Sequence, residues 1–335
     1  MWKQPAEWSR HDAVWLAWPN AADLWGDALA VAQEEFAGLC TRAIAGERIE
    51  VLVPDAREEE GARRRLGDKV RYHRIPFGDI WMRDIAPIFA HDEAGRVVAH
   101  CFRFNGWGGK YVLEHDDQVA LRVAEAADVP RVSHDFVLEG GAVETDGEGT
   151  LLTSRQCLLN PNRNPELSQD RVERALCDAL GARKVLWVTE GLLEDHTDGH
   201  IDTIVRFVAP ATVACMEPVG DDPNEKQLER ILEELSDATD AAGRRLTVVR
   251  VPSPGRVTDG RGKLLPASYL NFYVANDSVA VPIYGSEQDE AAVRAVAALF
   301  PTRRTVGVRA RAILEGGGAL HCITQQQPSP IEESE

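Results

Sequence analysis

The sequence predicts an α/β protein whose strands and helices recur as five similar units around one axis, as in a propeller. Two observations carry this expectation. Short runs rich in Val, Ile, Leu and Phe alternate with amphipathic stretches, the pattern of strands separated by helices. In addition, five segments share one plan: a turn with Gly or Asp, one polar residue able to do chemistry, then an apolar strand.

Taken along the chain, Leu29–Ala45 carries apolar residues at three- and four-residue spacing and reads as a helix. Ile49–Val53 follows as a strand. Gln227–Ala242 comes after an Asp-Asp-Pro-Asn start signal and reads as a second helix, with Leu246–Val251 as the next strand. Val279–Ile283 reads as a strand and Glu287–Leu299 as a third helix. No Gly/Ser- or Pro-rich linker divides the chain, so one domain is expected over residues 1–327. The stretch Gln325–Glu335 is polar and acidic with two prolines, and a disordered tail is expected over residues 328–335.

The five similar segments are GDIWMRDIAPIFA (78–90), LEGGAVETDGEGTLLT (138–153), TDGHIDTIVRFV (197–208), ASYLNFYVANDSVAVP (267–282) and LEGGGALHCITQ (314–325). Their polar residues are Asp84, Glu139, His200, Asn271 and Cys322, at intervals of 55, 61, 71 and 51 residues. Arranged around an axis, five such units bring all five side chains to one central mouth. Uneven intervals are also what coincidence would give, so the chemistry of the segments must decide.

Bulk composition narrows the field. In a chain of 335 residues, 37 basic against 54 acidic residues leave a formal net charge of −17, which argues against nucleic-acid binding. The same field can draw in a cation, although solubility alone accounts for it. No run of 18 apolar residues occurs, and the N-terminal MWKQPAEWSRHDAVWLAWP lacks a basic-then-apolar signal pattern. Membrane insertion and secretion find no support, and a cytoplasmic protein is expected. The six cysteines are scattered without a CxxC pair; Cys40, Cys101, Cys177 and Cys215 read as buried thiols, consistent with a reducing compartment.

Cys322 has different surroundings. The run GGGALHC lets the backbone approach a ligand closely, and a thiol made partly ionic by its neighbours is a nucleophile. A small buried thiol on a strand is the competing reading. His200 and Asp202, two apart and read as entering a strand, would face one ligand together, with the imidazole giving and taking protons. His196 and His200 at four-residue spacing, with Asp202, could instead hold a metal, but that spacing shares a face only in a helix, and Thr-Asp-Gly between them argues for a turn. Asp84 and Asp202 could grip a planar guanidinium while Trp81 stacks on it; a salt bridge from Asp84 to Arg83 and a core Trp81 are the plain alternatives. Glu139 could bind the same cation, orient His200, or cap a turn.

Together the combination WxRDxxP, LEGG, DGHID, SYLNFY and GGGxxHCxTQQ resembles the agmatine deiminase family (agmatine iminohydrolases) within the guanidino-modifying, or pentein, superfamily, related to bacterial peptidyl-arginine deiminases. EWSRHDAVWLAWP, FRFNGWGGKY (102–111) and CLLNPNRNPELS (157–168) support the resemblance, which runs from about residue 5 to residue 327. It implies a five-bladed β/α-propeller with pseudo-fivefold symmetry, in keeping with the repeat. It further implies Cys322 as nucleophile, His200 as general acid/base, Asp84 and Asp202 as guanidinium ligands, and Glu139 as support for both.

Trp81, Asp79, Trp107, Asn271, Asp198 and His196 complete the expected substrate-binding set. The implied reaction is agmatine to N-carbamoylputrescine plus ammonia through a covalent thiouronium, with no metal and no organic cofactor. The expected partner is a small cationic guanidino substrate, with neither nucleic acid nor membrane, and a homo-oligomer is a family-level expectation. Arginine, methylarginine or peptidyl-arginine is the alternative substrate, and a non-catalytic polyamine- or guanidine-binding protein the alternative class. A carboxylate-bearing substrate would call for a positioned arginine, for which Arg103 and Arg155 are the candidates. Two departures stand out. His196 occupies a position the family usually fills with an acidic residue, for which Asp198 could compensate, and Ala86 replaces the glycine of RDxGP.

Overall fold

The repeat closes into a ring. The protein is described by a computed structural model over residues 2–331, in which sixteen strands form five small sheets. The first blade holds β1 (His11–Ala17), β2 (Ile49–Val53) and β3 (Arg71–Arg74), all parallel. The second is β4 (Ile88–His91), β5 (Val97–Arg103) and β6 (Arg131–Val137); the third is β7 (Glu144–Thr145), β8 (Thr150–Ser154) and β9 (Lys184–Val188). The fourth is β10 (Val205–Ala209), β11 (Thr212–Glu217) and β12 (Thr247–Pro252); the fifth is β13 (Tyr273–Val274), β14 (Ser278–Ile283) and β15 (Arg304–Arg309).

From the second blade onward one unit repeats. The first strand pairs antiparallel with the second, and the second parallel with the third. The parallel step needs a crossover, which the helices Asp116–Ala126, Gln169–Leu180, Glu225–Ser236 and Asp289–Leu299 supply. Each buries one stripe: in Glu225–Ser236 it is Leu228, Ile231 and Leu235, at three- and four-residue spacing. The last strand, β16 (Gln325–Pro328), completes the first blade by pairing antiparallel with β1, Trp15 opposite Gln325.

The predicted helices and strands are present with shifted ends. The first helix is regular over Leu29–Gly38 and continues as a wider turn through Leu39–Ala43. The helix expected to reach Ala242 stops at Ser236. There the Asp240 carboxylate accepts from the backbone N–H groups of Ala242 and Arg244 at 2.9 and 2.8 Å, and an Asx-stabilised turn displaces the last helical turn. At the far end, the glutamines that read as the start of a tail are strand residues: Gln325 and Gln327 are buried, and Gln327 Oε1 accepts from Trp15 Nε1 at 2.9 Å. Order continues past the expected boundary, with the Ser329 and Ile331 amides donating to Arg10 O and Gly95 O; residues 332–335 lie outside the described residues. Among the described residues no helix is long and apolar enough to cross a membrane.

Candidate active site

Each blade delivers its polar residue at an equivalent place, the turn entering its innermost strand. Asp84 lies in the short helical turn Met82–Ile85 ahead of β4, and Glu139 just before the 3₁₀ turn Gly140–Ala142 that leads to β7. His200 precedes the 3₁₀ turn Ile201–Thr203 before β10, while Asn271 and Cys322 stand shortly before β13 and β16. All five are buried. Asn271 Nδ2 donates to Cys322 Sγ at 3.1 Å and to Asp202 Oδ2 at 3.2 Å, and Cys322 Sγ lies 3.7 Å from that oxygen. His200 Nδ1 is 3.7 Å from Asp84 Oδ1.

Above the thiol opens a cavity of about 290 Å³. Cys322, Asp84, Trp81 and Trp107 are its buried lining, with the exposed Tyr111 and the half-buried His196 also lining it. Trp107 Nε1 and the Gly141 amide donate to the two Asp84 oxygens at 2.8 and 2.9 Å. Trp107 is in the left-handed region (φ 53°) between Gly106 and Gly108, so this loop curls tightly enough to turn the indole N–H onto Asp84. Gly318 stands where a methyl group would meet Trp81 Cζ3 at 2.7 Å and Cys322 Sγ at 3.0 Å, which is what the glycine run before the cysteine accommodates.

Several expectations are corrected by these positions. His200 and Asp202 are not on a strand; Asp202 lies within the 3₁₀ turn that His200 precedes, with His200 toward Asp84 and Asp202 toward Cys322. Nor do His196 and His200 share a helical face, because Asp198 (φ 67°) and Gly199 (φ 85°) turn the chain between them. Arg83 is not the partner of Asp84: it donates to Gln326 Oε1 at 2.7 Å and lies 3.6 Å from Glu7. Asp198 does not line the cavity. Its carboxylate is taken by Lys110 (2.5 Å), Arg163 (2.6 Å) and Asn162 (3.0 Å), so it is not free to compensate for His196. Asn271 lies behind the thiol, its Oδ1 accepting from the Cys322 and His321 amides. Arg103 pairs with Asp135 and Arg155 with Gln169, both away from the cavity, and Cys177 is half-buried.

Other residues join the centre without having been singled out. Arg163 Nε donates to Glu139 Oε1 at 2.7 Å, leaving Glu139 Oε2 without a partner among the described residues. His321 bridges two carboxylates, Nδ1 to Asp202 Oδ2 and Nε2 to Glu7 Oε2, each at 2.7 Å; a ring donating at both nitrogens fits that geometry. Arg206 holds Glu7 at 2.9 Å and Glu144 at 3.1 Å. Histidine directly before the cysteine was a local signal for this bridge; its partner Glu7 left none. Cys157 lies with Glu139 and His200 such that one donor atom of each falls within 4.8 Å of the others, a grouping that could hold a cation. The guanidinium of Arg163 already neutralises Glu139 there.

Electrostatics follow from burial. Burial pushes the Cys322 thiol well above its ordinary value, and the charges of Asp202 and Asp84 add to this. Burial disfavours charge on His200, but Asp84 first, then Cys157 and Glu139, outweigh it and hold the imidazole well above its usual value. Burial raises Asp84, with Asp202 and Glu139 adding and His200 opposing. Burial would raise Asp202 too, yet the hydrogen bond and charge of His321 keep it below the ordinary carboxylate range. Asp202 Oδ1, Glu139 Oε2 and both His200 nitrogens have no hydrogen-bond partner among the described residues, and these three residues lie behind the cavity wall rather than lining it.

Comparison with known proteins agrees with this arrangement. The profile of the Porphyromonas-type peptidyl-arginine deiminase family matches residues 3–328. An agmatine deiminase of Pseudomonas aeruginosa is 38% identical, covering 98% of this chain and 96% of its own. The solved agmatine deiminase of Enterococcus faecalis superposes with a TM-score of 0.92 at 34% identity, over 98% of this chain and 96% of that one. An amidinotransferase of Microseira wollei, 12% identical with a TM-score of 0.55 over 98% of both chains, shares the fold alone.

Proposed function

The chain belongs to the Porphyromonas-type peptidyl-arginine deiminase family, and from that premise we propose that it hydrolyses agmatine to N-carbamoylputrescine and ammonia. One observation carries the choice of substrate: the carboxylate side chains lining the cavity are Asp79, Asp84 and Glu315, and no lysine or arginine lines it among the described residues. Burial and Lys263 hold His196 below its ordinary value, so it is uncharged at neutral pH. Agmatine carries a cation at each end. Arginine and its peptides carry a carboxylate or carbonyl where this cavity offers no cationic side chain. The agmatine deiminases of Pseudomonas aeruginosa and Enterococcus faecalis support the same substrate.

The chemistry then follows from the geometry. The guanidinium docks against Asp84 in the buried lining of the cavity, and the charges of Asp84, Asp202 and Glu139 keep it protonated and its carbon electrophilic. Its arrival neutralises the carboxylates that raise the Cys322 thiol, so the proton on sulfur leaves to water as the substrate binds. The Cys322 thiolate adds to the guanidinium carbon, forming the C–S bond and a neutral tetrahedral adduct. Protonated His200 gives its proton to one amino group, which departs as ammonia and leaves an S-alkylthiouronium. Neutral His200 next takes a proton from water while the oxygen adds to the same carbon. Collapse breaks the C–S bond, returns thiolate, and releases the ureido product once its extra proton passes to ammonia.

Asn271 positions the sulfur through Nδ2, and His321 keeps Asp202 ionised. Six free cysteines support a cytoplasmic setting. Incubation with agmatine, arginine, methylarginine and short arginine peptides, with ureido product measured for each, tests the proposal. Agmatine turnover that disappears in Cys322→Ala is expected. Preference for a carboxylate-bearing substrate would overturn the assignment, and equal ammonia release from Cys322→Ala would overturn the mechanism.

A further inference from the structure

The departure at His196 leaves open which group receives the far end of the substrate. We infer that Asp79 is the anchor for a primary ammonium at the distal end of the substrate, held in place by two indoles and reached along the face of Trp81. The inference rests on the agmatine reading and deepens it.

Asp79 lines the cavity yet is only 7% exposed. Its Oδ1 accepts from Trp25 Nε1 and from the Ile80 amide, both at 2.9 Å, and its Oδ2 from Trp81 Nε1 at 2.8 Å. All three donors are neutral. Nearby carboxylates are neutralised differently: Glu139 and Asp198 by Arg163, Glu7 by Arg206. Among the described residues no ion pair involves Asp79, so its charge is uncompensated within the protein. A buried carboxylate without a cation is costly, and a cationic ligand in the adjoining cavity removes that cost. Burial holds Asp79 above the ordinary carboxylate value against the three hydrogen bonds. Burial pushes the neighbouring Asp116 up to about 7, with the charge of Asp79 adding to it.

Position agrees with charge. The Trp81 indole extends from the reacting sulfur to Asp79: its Cζ3 edge lies beside Gly318, next to Cys322 Sγ, and its Nε1 edge bonds Asp79. A flexible polymethylene chain lying on that face, with its guanidinium carbon at the thiol, brings its ammonium to Asp79 Oδ2. Trp25 lies nearly parallel to Trp81, 6.1 Å between ring centroids at 26°, so both indole N–H groups fix one carboxylate. The other mouth residues suit an ammonium less. The Glu315 side chain is 37% exposed and pairs with Arg311, and His196 is neutral and occupied by Tyr111 and Lys263.

The test compares agmatine with butylguanidine, which lacks only the distal amine, in the wild type, Asp79→Asn and Glu315→Gln. The wild type is expected to prefer agmatine in kcat/KM. Asp79→Asn is expected to lose about 10- to 100-fold of that preference, the equivalent of one charge-assisted hydrogen bond, and Glu315→Gln to retain most of it. If Asp79→Asn does not fold, Asp79→Glu decides: its longer side chain is expected to shift the optimum to a guanidinoalkylamine one methylene shorter. A preference unchanged in Asp79→Asn, or an optimum unchanged in Asp79→Glu, would overturn the anchor while leaving the deiminase reading intact. A wild type that releases no ammonia from agmatine would overturn that reading itself.

Discussion

Adding one methyl group at Gly141 probes the junction of three side chains at once. A methyl there would lie 2.6 Å from His200 Nδ1, 2.9 Å from Asp84 Oδ1 and 3.2 Å from Asp202 Oδ2. Comfortable contact begins at about 3.5 Å, so His200 would have to retreat by about 0.9 Å, the difference between 3.5 and 2.6. Gly141 is not among the positive-φ glycines, so alanine adds bulk without backbone strain. Crowding of this kind costs about 1–3 kcal/mol of stability. Misplacing a reacting group by about 1 Å costs on the order of 100-fold in rate.

Gly141→Ala is therefore expected to lower kcat/KM for ammonia release by about 100-fold while melting a few degrees below the wild type. Gly38→Ala is the matched control. Gly38 has ordinary helical angles (φ −60°, ψ −41°) and no atom of the described residues within 4 Å of an added methyl, so up to about 1 kcal/mol of stabilisation and unchanged activity are expected. Activity of Gly141→Ala within about threefold of wild type would refute the claim that these three groups must hold their present spacing.

Glu7→Ala removes one of the two carboxylate partners of each of the buried Arg206 and His321, and a loss of about 1.5–3 kcal/mol is expected in urea unfolding, together with lost turnover. Glu7→Gln, which keeps the shape, should lose less; an unchanged unfolding midpoint for Glu7→Ala would exclude the network as a support. Because burial and then the Asp202 and Asp84 charges disfavour the Cys322 thiolate, alkylation of Cys322 by neutral iodoacetamide should be slow at neutral pH and still rising at pH 9 in the ligand-free protein. A rate already level below about pH 8, followed by mass spectrometry at that residue, would contradict the raised thiol.

Much of this site was legible because each contributing residue sits on a local pattern, a turn opening into an apolar strand. Asp84, Glu139, His200, Asn271 and Cys322 each occupy that place, and the ring brings them together without any local clue to their distances. What the sequence could not display is pairing across the ring. Glu7 and His321 are 314 positions apart, and neither reads as the other's partner. Asp198 looked available because it stands two residues from His200; it is claimed by Lys110 and Arg163 from other loops. The helix end at Ser236 was misplaced for a related reason, since the carboxylate of Asp240 competes for backbone amides that propensity alone assigns to the helix.

The pairing of β16 with β1 has a consequence for how the protein matures. Trp15 and Gln327, hydrogen-bonded across this join, are 312 positions apart, so the strand made first must wait for the strand made last. Domains begin to fold during synthesis from the N-terminal side, and the second to fifth blades take their strands from consecutive stretches of chain. The sulfur arrives with the final seam. Until that seam forms, Asp202 has no His321 and Asn271 has no thiol to orient, so an unfinished chain is chemically silent. A local opening between β1 and β16 is therefore expected to abolish turnover while the other blades stay folded.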